Sequence, residues 1–360
     1  MKAIIVGGGI GGLAAAAGLH RKGWQVVVLE RAAAFTEVGA GLAVQPNAVH
    51  ALTALGIRLT EGLTDPPQGI RTSGGNWVIR NDSDLLSRRY GRWAMVHRAT
   101  MIDLLRAELP PSSLRPGVAV RAVHPDGRVE HDGGVLTADL VVGADGVRSV
   151  TRASIFPEAA PPRYAGYATW RMIAPPHLLD PEDGSVETWG GGARFGYAPL
   201  PDGRVYCYAM IKAPEGAGGD LGYLRRIYGS WHEPIPSLLA SVDPSGVLHH
   251  DTYELPDLPS YVAGKVALLG DAAHAMTPNL GQGACQALED AVVLAGCTDL
   301  PAYDRLRRSR TQDVVRRSRQ FGDLAHMSSA PLAAARNLGL RLLPTFTVAR
   351  QMDPVLRWAP

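Results

Sequence analysis

The sequence predicts an α/β fold: a Rossmann-like unit, a second and mainly β unit, and helices at the C-terminal end. Three observations predict it. The first thirty residues alternate strand, glycine turn, helix and strand; residues 164 to 250 are dominated by alternating or aromatic-rich runs; and a buried-strand run, Val266 to Leu269, brings the first pattern back. At 360 residues the chain is long for one hydrophobic core, so two closely packed units are expected.

The opening unit reads as strand Lys2 to Val6, a glycine turn, a helix from Gly11 to Lys22 stopped at Gly23, and strand Gln25 to Glu30. An extended segment, Gly39 to Val44, leads into a helix from Pro46 to Leu55, with proline in the first turn and Gly56 closing it. Residues 60 to 96 are richer in Gly, Pro, Ser and Asp and read as loops and short strands, a shift that marks a crossing between units. A helix resumes over Thr100 to Leu109, followed by short strands at Val118 to Val123, Arg128 to His131 and Asp139 to Val142. The second sheet is expected from Tyr167 to Ile173, Val186 to Trp189, Arg194 to Pro199 and Arg204 to Ile211. After Val266 to Leu269 a loop leads to a helix from Gly283 to Leu294.

Composition narrows the function classes. Hydrophobic residues make up 46% and charged residues 19%, which argues against long disordered tails, and a net charge of +2 gives no reason to expect a nucleic-acid or membrane-surface partner. The basic stretch Arg305 to Arg319 reads as a solvated helix face. Cys207, Cys285 and Cys297 are too far apart for a CxxC redox or zinc pattern, so no metal is expected and a reducing, cytoplasmic setting fits. Lys2 and the apolar residues after it imitate a secretory leader, but Gly7, Gly8, Gly9, Gly11 and Gly12 suit a tight turn better than a leader helix.

Three motifs carry chemistry. In the first, Gly7-Gly8-Gly9-Ile10-Gly11-Gly12 follows a strand and opens a helix, matching GxGxxG through Gly7, Gly9 and Gly12. Gly7 permits the turn, Gly9 lets the backbone approach a pyrophosphate, and Gly12 allows close packing of helix on strand, while the helix N-terminus offers N–H groups to the phosphates. Glu30, ending the second strand beside Arg31, suits an unphosphorylated adenosine ribose, as in FAD or NAD. The second motif is the buried strand Asp139 to Gly143 that delivers Asp145-Gly146 to a turn. The third and most specific runs Gly270-Asp271-Ala272-Ala273-His274 through Pro278-Asn279-Leu280-Gly281-Gln282-Gly283. A helix starting at Gly283 would point its positive end at whatever the segment holds.

Together the three motifs resemble the flavoprotein aromatic hydroxylases, which include para-hydroxybenzoate, salicylate and 6-hydroxynicotinate hydroxylases. The resemblance covers residues 1 to 330 and implies a glutathione-reductase type FAD-binding domain, discontinuous over 1–72, 97–163 and 252–330. A substrate domain would occupy 73–96 and 164–251, and 331–360 a C-terminal helical segment. It assigns Asp271 to the ribityl chain, and Pro278 with the backbone of Leu280, Gly281, Gln282 and Gly283 to the isoalloxazine ring. Arg98 matches a family arginine that contacts FAD, Val120 offers backbone to the adenine, and Gly41 and Gln45 run near the flavin. Arg194 and Tyr206 resemble the Arg and Tyr pair of FAD-dependent urate hydroxylases: Arg194 would bind or polarise an anionic substrate, and Tyr206 would serve its deprotonation. Gln45 and Asn47 are secondary candidates, and His274 reads as a loop residue with a satisfied ring rather than a base.

The implied activity is an FAD-dependent, NADPH- or NADH-consuming monooxygenase that hydroxylates a small aromatic or heteroaromatic substrate through a C4a-hydroperoxyflavin, as a monomer or homodimer. Three alternatives stay open: an FAD-dependent epoxidase, a non-oxygenating flavin reductase or dehydrogenase, and a non-catalytic FAD-binding carrier.

Overall fold

The structure, a computed structural model, describes residues 1–35, 40–179 and 183–359. Gly39, at the start of the expected extended segment, lies outside the described residues. The opening unit forms as expected: β1 (Lys2–Val6), α1 (Ile10–Arg21) and β2 (Gln25–Glu30). Next come β3 (Gly41–Val44), α2 (Pro46–Ala54), β4 (Leu63–Thr64), β5 (Gly69–Thr72) and β6 (Trp77–Arg80). Then follow α3 (Ser83–Tyr90), β7 (Trp93–His97) and α4 (Arg98–Arg106). The next strands are β8 (Leu114–Pro116), β9 (Val120–Val123), β10 (Arg128–His131), β11 (Gly134–Thr137) and β12 (Leu140–Gly143), before α5 (Val150–Ile155).

The second sheet brings β13 (Arg163–Ala174), β14 (Val186–Gly190), β15 (Ala193–Pro199) and β16 (Val205–Lys212), then α6 (Leu221–Tyr228), α7 (Ile235–Ser241) and β17 (Leu248–Glu254). The chain returns through β18 (Val262–Ala263), β19 (Val266–Leu268), α8 (Asp271–His274), α9 (Gly283–Gly296) and α10 (Leu300–Ala325). It closes on α11 (Ala330–Arg341), α12 (Thr345–Gln351) and α13 (Asp353–Leu356).

A six-stranded sheet in the order β18-β19-β12-β1-β2-β8 anchors the first unit, with β1 parallel to both β2 and β12. Its central strands β1, β2, β12 and β19 carry buried runs of Ala, Ile, Val and Leu, as a sheet covered on both faces requires. A seven-stranded sheet, β17-β13-β16-β15-β14-β5-β6, forms the second. There the pleat sorts residues cleanly. Ala168, Trp170, Met172, Phe195, Cys207 and Ala209 join a core with Leu224, Tyr228, Leu238 and Leu239 of α6 and α7. Their neighbours Thr169, Arg171, Tyr206, Tyr208 and Met210 face the other way, into a cavity.

Several expectations need correction. α3, α6 and α7 are helices where loops or strands were expected. β5 pairs with β14 in the large sheet, so that sheet begins at Gly69, ahead of the expected crossing at 72–73, while β7 pairs with β3 and β4 instead. The basic stretch lies on α10 but is not simply solvated, because Arg307 is 1% exposed and bound to Glu289 and Asp290. The C-terminal helical segment is built of three helices, α11, α12 and α13.

The last helices are anchored to α3. Arg89 donates to Asp353 at 2.9 and 2.5 Å and Tyr90 donates to it at 2.7 Å, beside a cluster of Leu86, Trp93, Ala349 and Leu356. The Arg89 guanidinium holds the Asp353 carboxyl below its usual range. An Asp353→Ala variant is expected to exchange amide hydrogens faster across 345–356 than across α1, a contrast mass spectrometry resolves.

Candidate active site

A cavity of about 1380 Å³ runs between the six-stranded sheet and the cavity face of the seven-stranded one. Pockets for drug-sized ligands measure about 300–1,000 Å³, so this one has room for a dinucleotide and a second small molecule. Gly7, Gly9, Ile10, Gly11, Glu30, Arg31, Gly41, Gln45, Arg98, Val120, Asp145, Gly146, Asp271, Pro278, Gly281 and Gly283 all line it. Stretches far apart in sequence therefore meet on one surface.

The N-termini of α1 and α9 open onto the cavity. α1 starts after Gly9 and α9 after Gln282, neither with a side-chain cap, and Gly9, Ile10, Gly283 and Ala284 line the space. Free first-turn N–H groups and the dipoles of these two helices make the floor attractive to anionic or electron-rich atoms. Gly12 does not line the cavity. A Cβ there would sit 2.0 Å from the Gly7 carbonyl oxygen, so its part is close packing of α1 on the turn.

Carboxylates hold the loops. Glu30 accepts from the N–H of Gly8 at 2.7 Å and of Ala32 at 2.8 Å, one bond per oxygen, and each oxygen keeps a lone pair for a ligand hydroxyl. Asp145 accepts from Ser149 Oγ at 2.6 Å and Thr151 N at 2.9 Å, which ties the turn after β12 to α5. Burial pushes the Arg98 guanidinium down and nearby Asp271 pulls it up.

The 278–283 segment is fixed from α2. Gln45 Nε2 donates to the Leu280 carbonyl at 2.7 Å and its Oε1 accepts from Gln282 Nε2 at 2.7 Å, so Gln45 both lines the cavity and braces the loop. Asn47, fully buried, donates to Gln282 Oε1 at 2.9 Å and Glu289 Oε1 at 2.7 Å. Behind α9, Arg307 binds Glu289 and Asp290 at 2.6 Å each, and His274 lies 2.6 Å from Asp290. His274 is thus buried in helix α8, not in a loop.

The roof is polar where it meets the cavity. Arg171, Glu187, Tyr206, Tyr208 and Asn279 line it; Arg194 does not. Arg194 is 1% exposed, donates to both oxygens of Glu187 at 2.8 and 2.9 Å, and also donates to Asn279.

A family model described as "FAD binding domain" matches residues 1–167 and 257–316. The chain is 34% identical over 381 residues to the aurachin C monooxygenase/isomerase of Stigmatella aurantiaca, covering 99% of this chain and 98% of that protein. It is 36% identical over 365 residues to the 3-amino-4-hydroxybenzoate 2-monooxygenase of Streptomyces cremeus, covering 94% and 91%. The chain belongs to the FAD-dependent monooxygenase family. The crystal structure of Klebsiella pneumoniae HpxO complexed with FAD and uric acid superposes with a TM-score of 0.89 at 30% identity, over 99% of this chain and 96% of that one.

The cavity of this flavoprotein suits the cofactor. Its size, its two uncapped helix starts and the glycine surface between them accept a flat ring system joined to a pyrophosphate. Two residues expected at the ligand stand back from it: Gln282 is fully buried with its amide spent on Gln45 and Asn47, and the Arg194 guanidinium is spent on Glu187. Tyr208, Glu187 and Arg171 were missed. The alternation of β16, which puts Tyr206 and Tyr208 on one face, was the available signal for Tyr208.

The buried network behind α9 makes the flavoprotein acid-sensitive. Burial alone would push the Asp290 carboxyl up, but His274, Arg307 and the Gly270 N–H hold it well below the usual aspartate range. Its contribution to stability is then complete above the unfolded-state value of about 3.9 and is lost as pH falls below it. Denaturant midpoints measured against pH should drop below about pH 4, and Asp290→Asn should flatten that drop.

Proposed function

We propose that this flavoprotein hydroxylates a small aromatic or heteroaromatic ring held between the α9 end of the cavity and the face of β13, β15 and β16. One observation carries the reading: a single cavity joins the glycine turn, the 270–283 segment and the roof residues Arg171, Tyr206 and Tyr208. The relatives' names point the same way, to an aminohydroxybenzoate, urate and a 4(1H)-quinolone.

Gly7, Gly9, Glu30, Arg31, Arg98, Val120, Asp145, Gly146, Asp271, Pro278, Gly281 and Gly283 are the residues that would hold FAD. When bound, FAD supplies the two-electron reduction of O2 by NADH or NADPH, so that ring C–H, O2, NAD(P)H and a proton give ring C–OH, NAD(P)+ and water. The protein's own groups do the rest. The two sheets exclude water from the ring, the first turn of α9 offers N–H dipoles to developing negative charge, and Tyr206 and Tyr208 orient the substrate. Arg194 acts behind Glu187, on the roof rather than on the ring.

Purified protein incubated with NAD(P)H and a panel of phenols, pyridones and quinolones is expected to show ring-stimulated NAD(P)H and O2 consumption with a hydroxylated product. Turnover that continues unchanged without O2 would instead identify a dehydrogenase or reductase.

A further inference from the structure

Tyr206 and Tyr208 stand two residues apart on the cavity face of β16, their ring centroids 6.1 Å apart, and the surroundings of Tyr208 fix the direction of its hydroxyl. In the sheet register Glu187 on β14 faces Gly196 on β15, Gly196 faces Tyr208 on β16, and Tyr208 faces Arg171 on β13. A Cβ at Gly196 would lie 2.1 Å from Tyr208 Cζ. Glycine there lets the Tyr208 ring lie across β15, and its hydroxyl donates to Glu187 Oε2.

Glu187 has nothing left to offer a ligand. Oε2 also accepts from Arg194 Nη2 at 2.8 Å, and Oε1 accepts from Arg194 Nε at 2.9 Å and from the Trp189 indole. That fills the roughly four lone-pair positions of a carboxylate. The Tyr208 proton is therefore committed inward, and its oxygen presents lone pairs to the cavity. Burial pushes both phenols up, so both keep their protons at neutral pH.

Resting on the ring-substrate reading above, we propose that Tyr208 accepts a hydrogen bond from the substrate. The substrate class is then a heteroaromatic ring that carries an N–H or O–H donor. Glu187 and Arg194 are positioning residues: they set the direction of the Tyr208 hydroxyl without touching the ring.

The test uses the FAD-loaded enzyme with 2(1H)- and 4(1H)-quinolone, their N-methyl derivatives and a simple phenol, with dissociation constants read from the perturbed flavin absorbance and from calorimetry. N-methylation removes the donor and keeps the carbonyl. It is expected to weaken wild-type binding of the better quinolone about tenfold or more, the usual effect of one unpaired polar group. Tyr208→Phe should bind the N–H and N-methyl forms equally, losing affinity only for the first. Glu187→Gln, whose amide can donate to Tyr208, should bring the ratio toward one without abolishing binding, which a merely structural role would not do. Equal binding of the two forms by wild type, or an undiminished ratio in Tyr208→Phe, overturns the assignment alone. Failure of every ring to bind, the phenol included, contradicts the ring-substrate reading and the tyrosine assignment with it.

Discussion

Gly12→Ala is expected to yield a folded protein that purifies nearly colourless and binds added FAD about ten- to a hundredfold more weakly, the range that overpacking by one methyl produces. The added Cβ would lie 2.0 Å from the Gly7 carbonyl oxygen and 3.2 Å from the Ala144 side chain. Neither neighbour yields easily, because Gly7 N donates to Leu29 O at 2.8 Å and Ala144 N donates to Val6 O at 2.8 Å, both within the sheet framework. The helix must move instead, and α1 carries the N–H groups that face the cavity. Flavin fluorescence titration gives the affinity and circular dichroism checks the fold. An unchanged yellow protein would show that α1 need not sit so close.

Arg307→Ala is expected to cost about 3–5 kcal/mol of stability, the usual result of stripping one partner from a buried ion pair. Arg307 reaches Asp290 through Nε and Glu289 through Nη1, each at 2.6 Å, and Gln286 through Nη2. Glu289 and Asp290 are both fully buried. Arg310 still holds Glu289 at 2.6 Å, which keeps the loss from exceeding that range. Chemical denaturation of the holoenzyme measures it. Since Glu289 also receives Asn47, the α2 brace on the 278–283 segment should loosen with it, and bound flavin should become easier to remove.

Much of the floor was legible in the sequence, because each part announces itself locally. A hydrophobic run followed by GxGxxG can hardly be anything but a strand, a turn and a helix, and the 270–283 string has few other uses. The misplaced helices share a cause. α3 and α6 are eight residues each, capped by Asp82 and Asp220, and their neighbours in sequence are turn-rich or strand-like. α6 earns its helix by covering the apolar back of β13 and β16, a tertiary contact no short window contains.

The roof was harder for a different reason. Arg194 and Tyr206 lie on adjacent strands of one sheet, but whether an arginine faces a ligand depends on its nearest acid. Here that acid, Glu187, comes from β14, and spacing alone did not reveal that the pair would close on itself. The polar face that meets the cavity was fixed instead by the alternation of β13 and β16.

The most direct test follows the oxygen. With purified holoenzyme, NAD(P)H and a ring substrate under 18O2 in ordinary water, mass spectrometry should find one heavy oxygen in the product. A product whose new oxygen comes from water would contradict the account.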